Sequence, residues 1–162
     1  MKAHEYKVNI TWTGNRGKGT ASYTSYEREH TIVAGNKPVI PGSSDPAFRG
    51  DKTRYNPEEL LVASLSSCHM LWFLHLCSAA GVQVVEYVDD ATGVMEETAD
   101  GGGHFTEVTL FPVITLANEQ MIDRADALHE KANALCFIAN SCNFPVHHKP
   151  IYKIAERETQ NA

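Results

Sequence analysis

Asn56-Pro57-Glu58-Glu59-Leu60-Leu61-Val62-Ala63-Ser64-Leu65-Ser66-Ser67-Cys68-His69-Met70-Leu71-Trp72-Phe73-Leu74-His75-Leu76-Cys77-Ser78-Ala79-Ala80-Gly81 decides how the rest of the chain is read. It opens as a helix should. Asn56 can accept from a free N–H of the first turn, and Pro57 suits the first helical position, where an N–H would go unbonded anyway. Glu59, three residues after the cap, can reach back to the Asn56 N–H. Gly81 can close the helix in a left-handed conformation. Between these signals the apolar residues fall on nearly every face, so the helix is expected to be buried on most sides. A membrane span needs roughly 20 such residues. Serines, histidines and cysteines interrupt this segment, and no lysine or arginine anchors lie next to its end, so a core helix is the better reading.

Outward from this helix the pattern changes to strands. Before it, Tyr6 to Trp12 sets Val8, Ile10 and Trp12 on one face with period two. The turn signal from Gly14 to Gly19 follows, then Thr20 to Tyr26 and His30 to Ala34 as further strands. Residues 35 to 55, rich in proline, glycine and serine, read as a long loop, functional or disordered. After the helix, Val82 to Asp89, Gly93 to Thr98 and Phe105 to Leu116 read as strands. A second helix starts near Asn118 or Glu119, its stripe formed by Ile122, Ala125, Leu128, Ala132 and Leu135. Cys136 to Ala139 extends it or begins another short helix. Asn143 to Glu156 is expected to return as a strand, and residues 157 to 162 to fray. Strands, helix, strands, helix make an α+β architecture, expected as one domain over residues 1–162.

Composition narrows the function. The chain has 162 residues and a net charge of −6, with no basic run, so neither nucleic acid nor an anionic membrane is an expected partner. No apolar segment follows a basic start, so a cytoplasmic, thiol-reducing setting is expected. Cys68, Cys77, Cys136 and Cys142 then read as free thiols, and their spacings contain no C-x-x-C.

Cys68 is the first candidate for chemistry. It lies mid-helix among Ser64, Ser66 and Ser67, whose small side chains leave a path to the sulfur. Core packing is the commoner fate of a free cysteine, and reactivity needs a nearby cation to favour the thiolate. Arg16, Arg49 and Arg54 lie in loops that could supply one. Cys136, where the second helix meets a bend, is the second candidate; Cys77 and Cys142 read as structural. Glu58 stabilises the helix start through the dipole, or holds an arginine in a bidentate pair. Cys68 and His75 share a face but stand seven residues apart, about 10 Å of rise, too far for one zinc ion. His147 and His148 alternate across a strand. No metal site or cofactor is expected, and no phosphate loop or nucleophile elbow appears.

With these residues in view, the chain resembles the osmotically inducible protein C and organic hydroperoxide resistance (OsmC/Ohr) family. The resemblance rests on Asn56-Pro57-Glu58-Glu59-Leu60-Leu61 with Ala63 and Ser67-Cys68, and on the region Leu135-Cys136-Phe137-Ile138-Ala139-Asn140-Ser141 before a strand. It implies an OsmC-like fold, antiparallel sheets around a long buried central helix, in an intertwined homodimer. It also implies a thiol peroxidase without metal or flavin. Cys68 would be the peroxidatic cysteine, Cys136 the resolving one, Arg49 the activating arginine and Glu58 the residue that positions it. Arg16 and Arg54 stay open as the arginine. The substrate class would be a small-molecule hydroperoxide and the reductant an external dithiol, with a lipoyl-type dithiol as one option. The second cysteine is followed here by Phe137-Ile138-Ala139 where the family often has Pro-Val-Ser, so Cys142 stays open as the resolving residue. The competing readings are a non-peroxidase relative that binds a small apolar ligand or thiol compound at the dimer cleft, and a protein whose cysteines only fill the core.

Overall fold

A computed structural model describes residues 2–156; the tail expected to fray, 157–162, lies outside them. The chain divides into two compact units, residues 1–61 and 62–162. The long helix α1, Pro57–Ala80, runs through the division. Both of its ends form as the side chains dictate. Asn56 Oδ1 accepts from the Glu59 N–H at 2.7 Å while Glu59 Oε2 accepts from the Asn56 N–H at 3.1 Å, a reciprocal capping box. At the other end Gly81 takes φ +70°. The Val82 N–H then bonds the Cys77 carbonyl and the Gly81 N–H that of Ser78, a Schellman closure.

The first unit is a three-stranded antiparallel sheet in the order β1 (Asn9–Trp12), β2 (His30–Val33), β3 (Ile40–Gly42). Asn9 pairs with Val33 and Trp12 with His30. Two expectations change here. Thr20 to Tyr26 is not a strand: Ser25 Oγ donates to the Gly19 carbonyl, the Ser22 N–H donates to Ser25 Oγ, and Arg28 donates to the carbonyls of Tyr23 and Tyr26. Local side-chain bonds thus take the backbone groups a ladder would need. The 35–55 loop is also more ordered than its composition implies, since it holds β3 and a 3-10 turn at Pro46–Phe48, begun by Asp45 accepting from the Ala47 N–H at 2.7 Å.

The second unit carries two mixed sheets rather than purely antiparallel ones. One is ordered β4 (Val84–Asp89), β7 (Pro112–Leu116), β9 (Ile151–Ile154); the other β5 (Thr92–Glu97), β6 (Gly103–Leu110), β8 (Val146–His148). β4 and β7, and β5 and β6, run antiparallel; β8 joins β6 and β9 joins β7 in parallel. The parallel pairs arise because α2 (Ile122–Leu135) intervenes and brings the chain back in the same direction.

The stretch 105–116 was expected as one strand and is two, in different sheets. Pro112 has no N–H with which to continue a ladder, and the Phe111 N–H leaves it to donate to Asp89 Oδ1 at 2.7 Å. The other Asp89 oxygen accepts from Ser66 Oγ of α1 at 2.5 Å. The segment 143–156 divides likewise, around Lys149-Pro150. β5 lies close on the start of α1, and Gly93 permits it: a Cβ there would come within 2.8 Å of Val62 Cγ2 and 2.7 Å of Phe105.

The core of this unit gathers Phe73, Leu76, Cys77, Val82, Ile114, Leu116, Ala125 and Ala132. The expected stripe of α2 faces it, with Ile122, Leu128 and Leu135 packed at its margin. α1 behaves differently from the expectation of burial on most sides. Leu65, His69, Phe73, Leu76 and Cys77 are buried, whereas Leu71 is 63% exposed. Among the described residues, the sheets and α2 of this unit leave part of its apolar surface uncovered.

Candidate functional site

The residues expected from sequence to carry chemistry fall in both units. In the second unit α1 presents Cys68, half-buried, one residue before His69. Cys136 leaves α2 as its cap residue in an extended conformation and is 1% exposed. The fold brings these two thiols close enough for the Cys68 sulfur to raise the Cys136 thiol. All four cysteines are free.

The electrostatics of Cys136 are a balance that burial wins. The Ala139 N–H points at its sulfur at 3.5 Å, and the Ile138 N–H also favours the thiolate. Burial, together with the neighbouring Cys68 sulfur, outweighs both and pushes the thiol up to about 11. Cys77 is buried and pushed up to about 11 for the same reason, so it suits the core role expected of it. Cys142 is partly buried and shifted upward as well.

Around the pair the surface is apolar. Leu71, Trp72 and His75 follow Cys68 at three, four and seven residues and so share its helix face. They line a shallow groove. Phe137, directly after Cys136, sets its ring edge-on to Trp72 at 5.5 Å and stays 68% exposed. The bulky residue that departs from the family pattern after the second cysteine is thereby part of the wall beside it.

In the first unit the arginines are distributed differently from the expectation. Arg49 has φ +65° after the 3-10 turn, with its guanidinium 5.9 Å from the Tyr23 ring. Arg16 pairs with Glu29 at 2.8 Å. Arg54 lies 3.7 Å from Glu29 and 3.4 Å from Asp51. Glu58 was expected to hold an arginine. Among the described residues no ion pair joins it to Arg49, Arg16 or Arg54, and its buried Oε2 has no hydrogen-bond partner. The sequence reading missed Arg28, whose guanidinium sits between Tyr23 and Tyr26 at 4.3 and 4.2 Å from the ring centres.

It also missed a histidine cluster behind Cys68. His69 of α1, His129 of α2 and His148 of β8 stack, with ring centres 5.3 to 5.8 Å apart. His69 Nε2 and His129 Nδ1 share a hydrogen bond of 2.9 Å. Burial holds His69 down to about 4 and His129 down to about 3, so both are neutral near pH 7. The only hint in sequence was His148 on the side of β8 opposite His147, which faces Glu107 at 3.7 Å. Among the described residues no group of three His, Cys, Asp or Glu side chains is arranged to hold a metal ion.

Residues 50–150 match the family described as OsmC-like protein. The chain belongs to the OsmC family. An OsmC-like protein of unknown function from Vibrio cholerae is similar to it with 28% identity and a TM-score of 0.83, covering 92% of this chain and 100% of its own. An organic hydroperoxide resistance protein from Elizabethkingia anophelis, solved with thiocyanate bound, has 22% identity and a TM-score of 0.67 over 96% of this chain and all of its own. The organic hydroperoxide resistance protein OhrB of Bacillus subtilis has 16% identity and a TM-score of 0.59, over 93% of this chain and 98% of its own. The fold is therefore the α+β OsmC-like fold. No curated protein matches the sequence.

Proposed function

We propose that this OsmC-family chain is a two-cysteine peroxidase that reduces organic hydroperoxides. The observation that carries the reading is the neighbourhood of Cys68 and Cys136, which come from two different helices, one half-buried and the other buried, and lie close enough to act on each other electrostatically. The hydroperoxide-resistance proteins of similar fold support the substrate class. So does the apolar wall of Leu71, Trp72 and Phe137, which suits an alkyl group.

In the first step the Cys68 thiolate attacks the distal oxygen of ROOH. The O–O bond breaks, the sulfur becomes a sulfenic acid, and the alkoxide takes up a proton and leaves as ROH. In the second, the Cys136 sulfur displaces hydroxide from the sulfenic acid, giving a Cys68–Cys136 disulfide and water. An external dithiol, such as one of lipoyl type, then reduces the disulfide and is itself oxidised to a disulfide. On the family's pattern an arginine stabilises the thiolate and the departing alkoxide. Arg49 is the proposed residue and Glu58 its positioning partner. The buried, unpartnered Glu58 oxygen supports a role in receiving a guanidinium, since such an oxygen is costly to leave without a donor. Assembly as a homodimer is part of the proposal. The uncovered apolar residues of α1, and Tyr6, Val8, Ile10 and Trp12 at the start of the chain, favour it.

The test is the intact mass of the reduced protein after one equivalent of cumene hydroperoxide. A loss of two hydrogens, mapped to a Cys68–Cys136 peptide, is expected, and Cys68→Ser is expected to abolish peroxide consumption. Four thiols still free after treatment would overturn the reading in favour of a ligand-binding or purely structural role.

A further inference from the structure

His69, His129 and His148 form the least expected feature of the core, because hydrocarbon side chains of similar volume would fill that space at lower cost. His69 is 1% and His129 0% exposed. His69 Nδ1, His129 Nε2 and His148 Nδ1 are all buried without a hydrogen-bond partner among the described residues. Each such atom is costly to leave buried without a partner. What histidines offer in return is direction. The bond between His69 Nε2 and His129 Nδ1 persists only while α1 and α2 keep the two nitrogens near 2.9 Å, and the Phe73 ring stacked 3.8 Å from His129 holds that imidazole flat. His148 closes the stack from β8 and is tied to α2 through Glu130 at 3.1 Å.

These elements are the ones that carry the proposed reactive thiols. Cys68 is the residue before His69, and Cys136 is the cap of α2, seven residues or about 10 Å of rise beyond His129. A rotation or slide of α2 against α1 would separate the sulfurs. We infer that the His69–His129 hydrogen bond is a positioning clasp that sets the approach of Cys136 to Cys68, and hence the rate of disulfide closure. The inference rests on the two-cysteine reading for its purpose but not for its test.

The other ionisable groups against the clasp do not replace it. Glu130 of α2 takes His148. Tyr152 of β9, with its ring 6.2 Å from His129, donates to Asp126, and Tyr87 of β4 lies beyond Phe73.

The experiment uses the full chain with Cys142→Ser and an aromatic disulfide, dithiobis(nitrobenzoate), as oxidant. Attack by Cys68 releases one coloured thiolate and leaves a mixed disulfide. Attack by Cys136 on that mixed disulfide releases the second and forms the Cys68–Cys136 bond. Closure is therefore read even if the protein reduces no hydroperoxide, so the failure of the peroxidase reading and of the clasp are told apart. His129→Phe and His69→Phe keep an aromatic stack but lose the hydrogen bond. His129→Asn and His69→Gln put an amide group near the lost ring nitrogen and can restore it. The second release is expected to slow about tenfold or more in the phenylalanine variants, since small misplacements of reacting groups cost such factors. It should stay near the parent rate in the amide variants, with the first release unchanged in all four. Closure at the parent rate in folded phenylalanine variants overturns the clasp, as does slow closure in folded amide variants. If the phenylalanine variants lose their cooperative melt, the amide variants decide: parent closure supports the clasp and slow closure refutes it.

Discussion

At the scale of single residues the pair of sulfurs has unequal duties. Cys136 is sealed in and its thiol is pushed up to about 11, so near neutrality only a small fraction is ionised. Nucleophilic attack needs the thiolate. Closure of the Cys68 sulfenic acid should therefore accelerate as pH rises above 7, by about tenfold per unit while the thiolate fraction limits it, and level off near 11. Stopped-flow tryptophan fluorescence after a single hydroperoxide pulse would follow this, because Trp72 lies against Phe137 beside the pair. A closure rate flat between pH 7 and 9 would show that the proton is removed by a local base.

At the scale of elements, α1 is made by its ends as much as by its body. Asn56 is 5% exposed and exchanges two hydrogen bonds with Glu59. Asn56→Ala removes one acceptor from the first turn and should cost about 1 kcal/mol. For a chain of this size that lowers Tm by roughly 2–4 °C, measurable by calorimetry. Gly93 is the counterpart in β5. Gly93→Ala forces a methyl group against Val62 and Phe105 and should destabilise by about 1–3 kcal/mol, as overpacked sites do. A chemical denaturation midpoint unchanged from the parent would mean that β5 moves away from α1 without penalty.

For the whole molecule, acid is the revealing condition. The unfolded chain binds protons on His69 and His129 near pH 6.5, while the folded chain keeps them neutral down to about 4 and about 3. Between those values the unfolded state holds more protons, so stability falls as pH falls. The loss begins near 6.5 and amounts to about 3 kcal/mol for His69 and about 5 kcal/mol for His129 by the time the lower values are reached. Denaturation midpoints measured from pH 7.5 to 4.5 should decline accordingly, and the decline should shrink in His129→Asn. Sedimentation equilibrium tests the proposed dimer: a mass near twice 17.9 kDa is expected, and a monomer would leave the exposed surface of α1 to another partner.

Much of this was legible without coordinates, because it depends on neighbours in sequence. The cap at Asn56, the stop at Gly81 and the stripe of α2 are determined within one or two helical turns, where backbone geometry places i, i+3 and i+4 together. The Asn-Pro-Glu-Glu opening and Ser67-Cys68 were sufficient to recognise the family for the same reason, and the match over residues 50–150 bears that out. What sequence could not supply was set by contacts across long separations. The break between β6 and β7 depends on Asp89, twenty-two residues from Phe111, accepting its N–H. The meeting of His69 and His129 spans sixty residues. The nearness of Cys68 and Cys136 likewise exists only because α2 docks on α1. Local propensity says which segments become helices and strands, but it carries no information about which faces meet. That is decided by burying the apolar surface of the whole unit at once, and only the tertiary structure records the result.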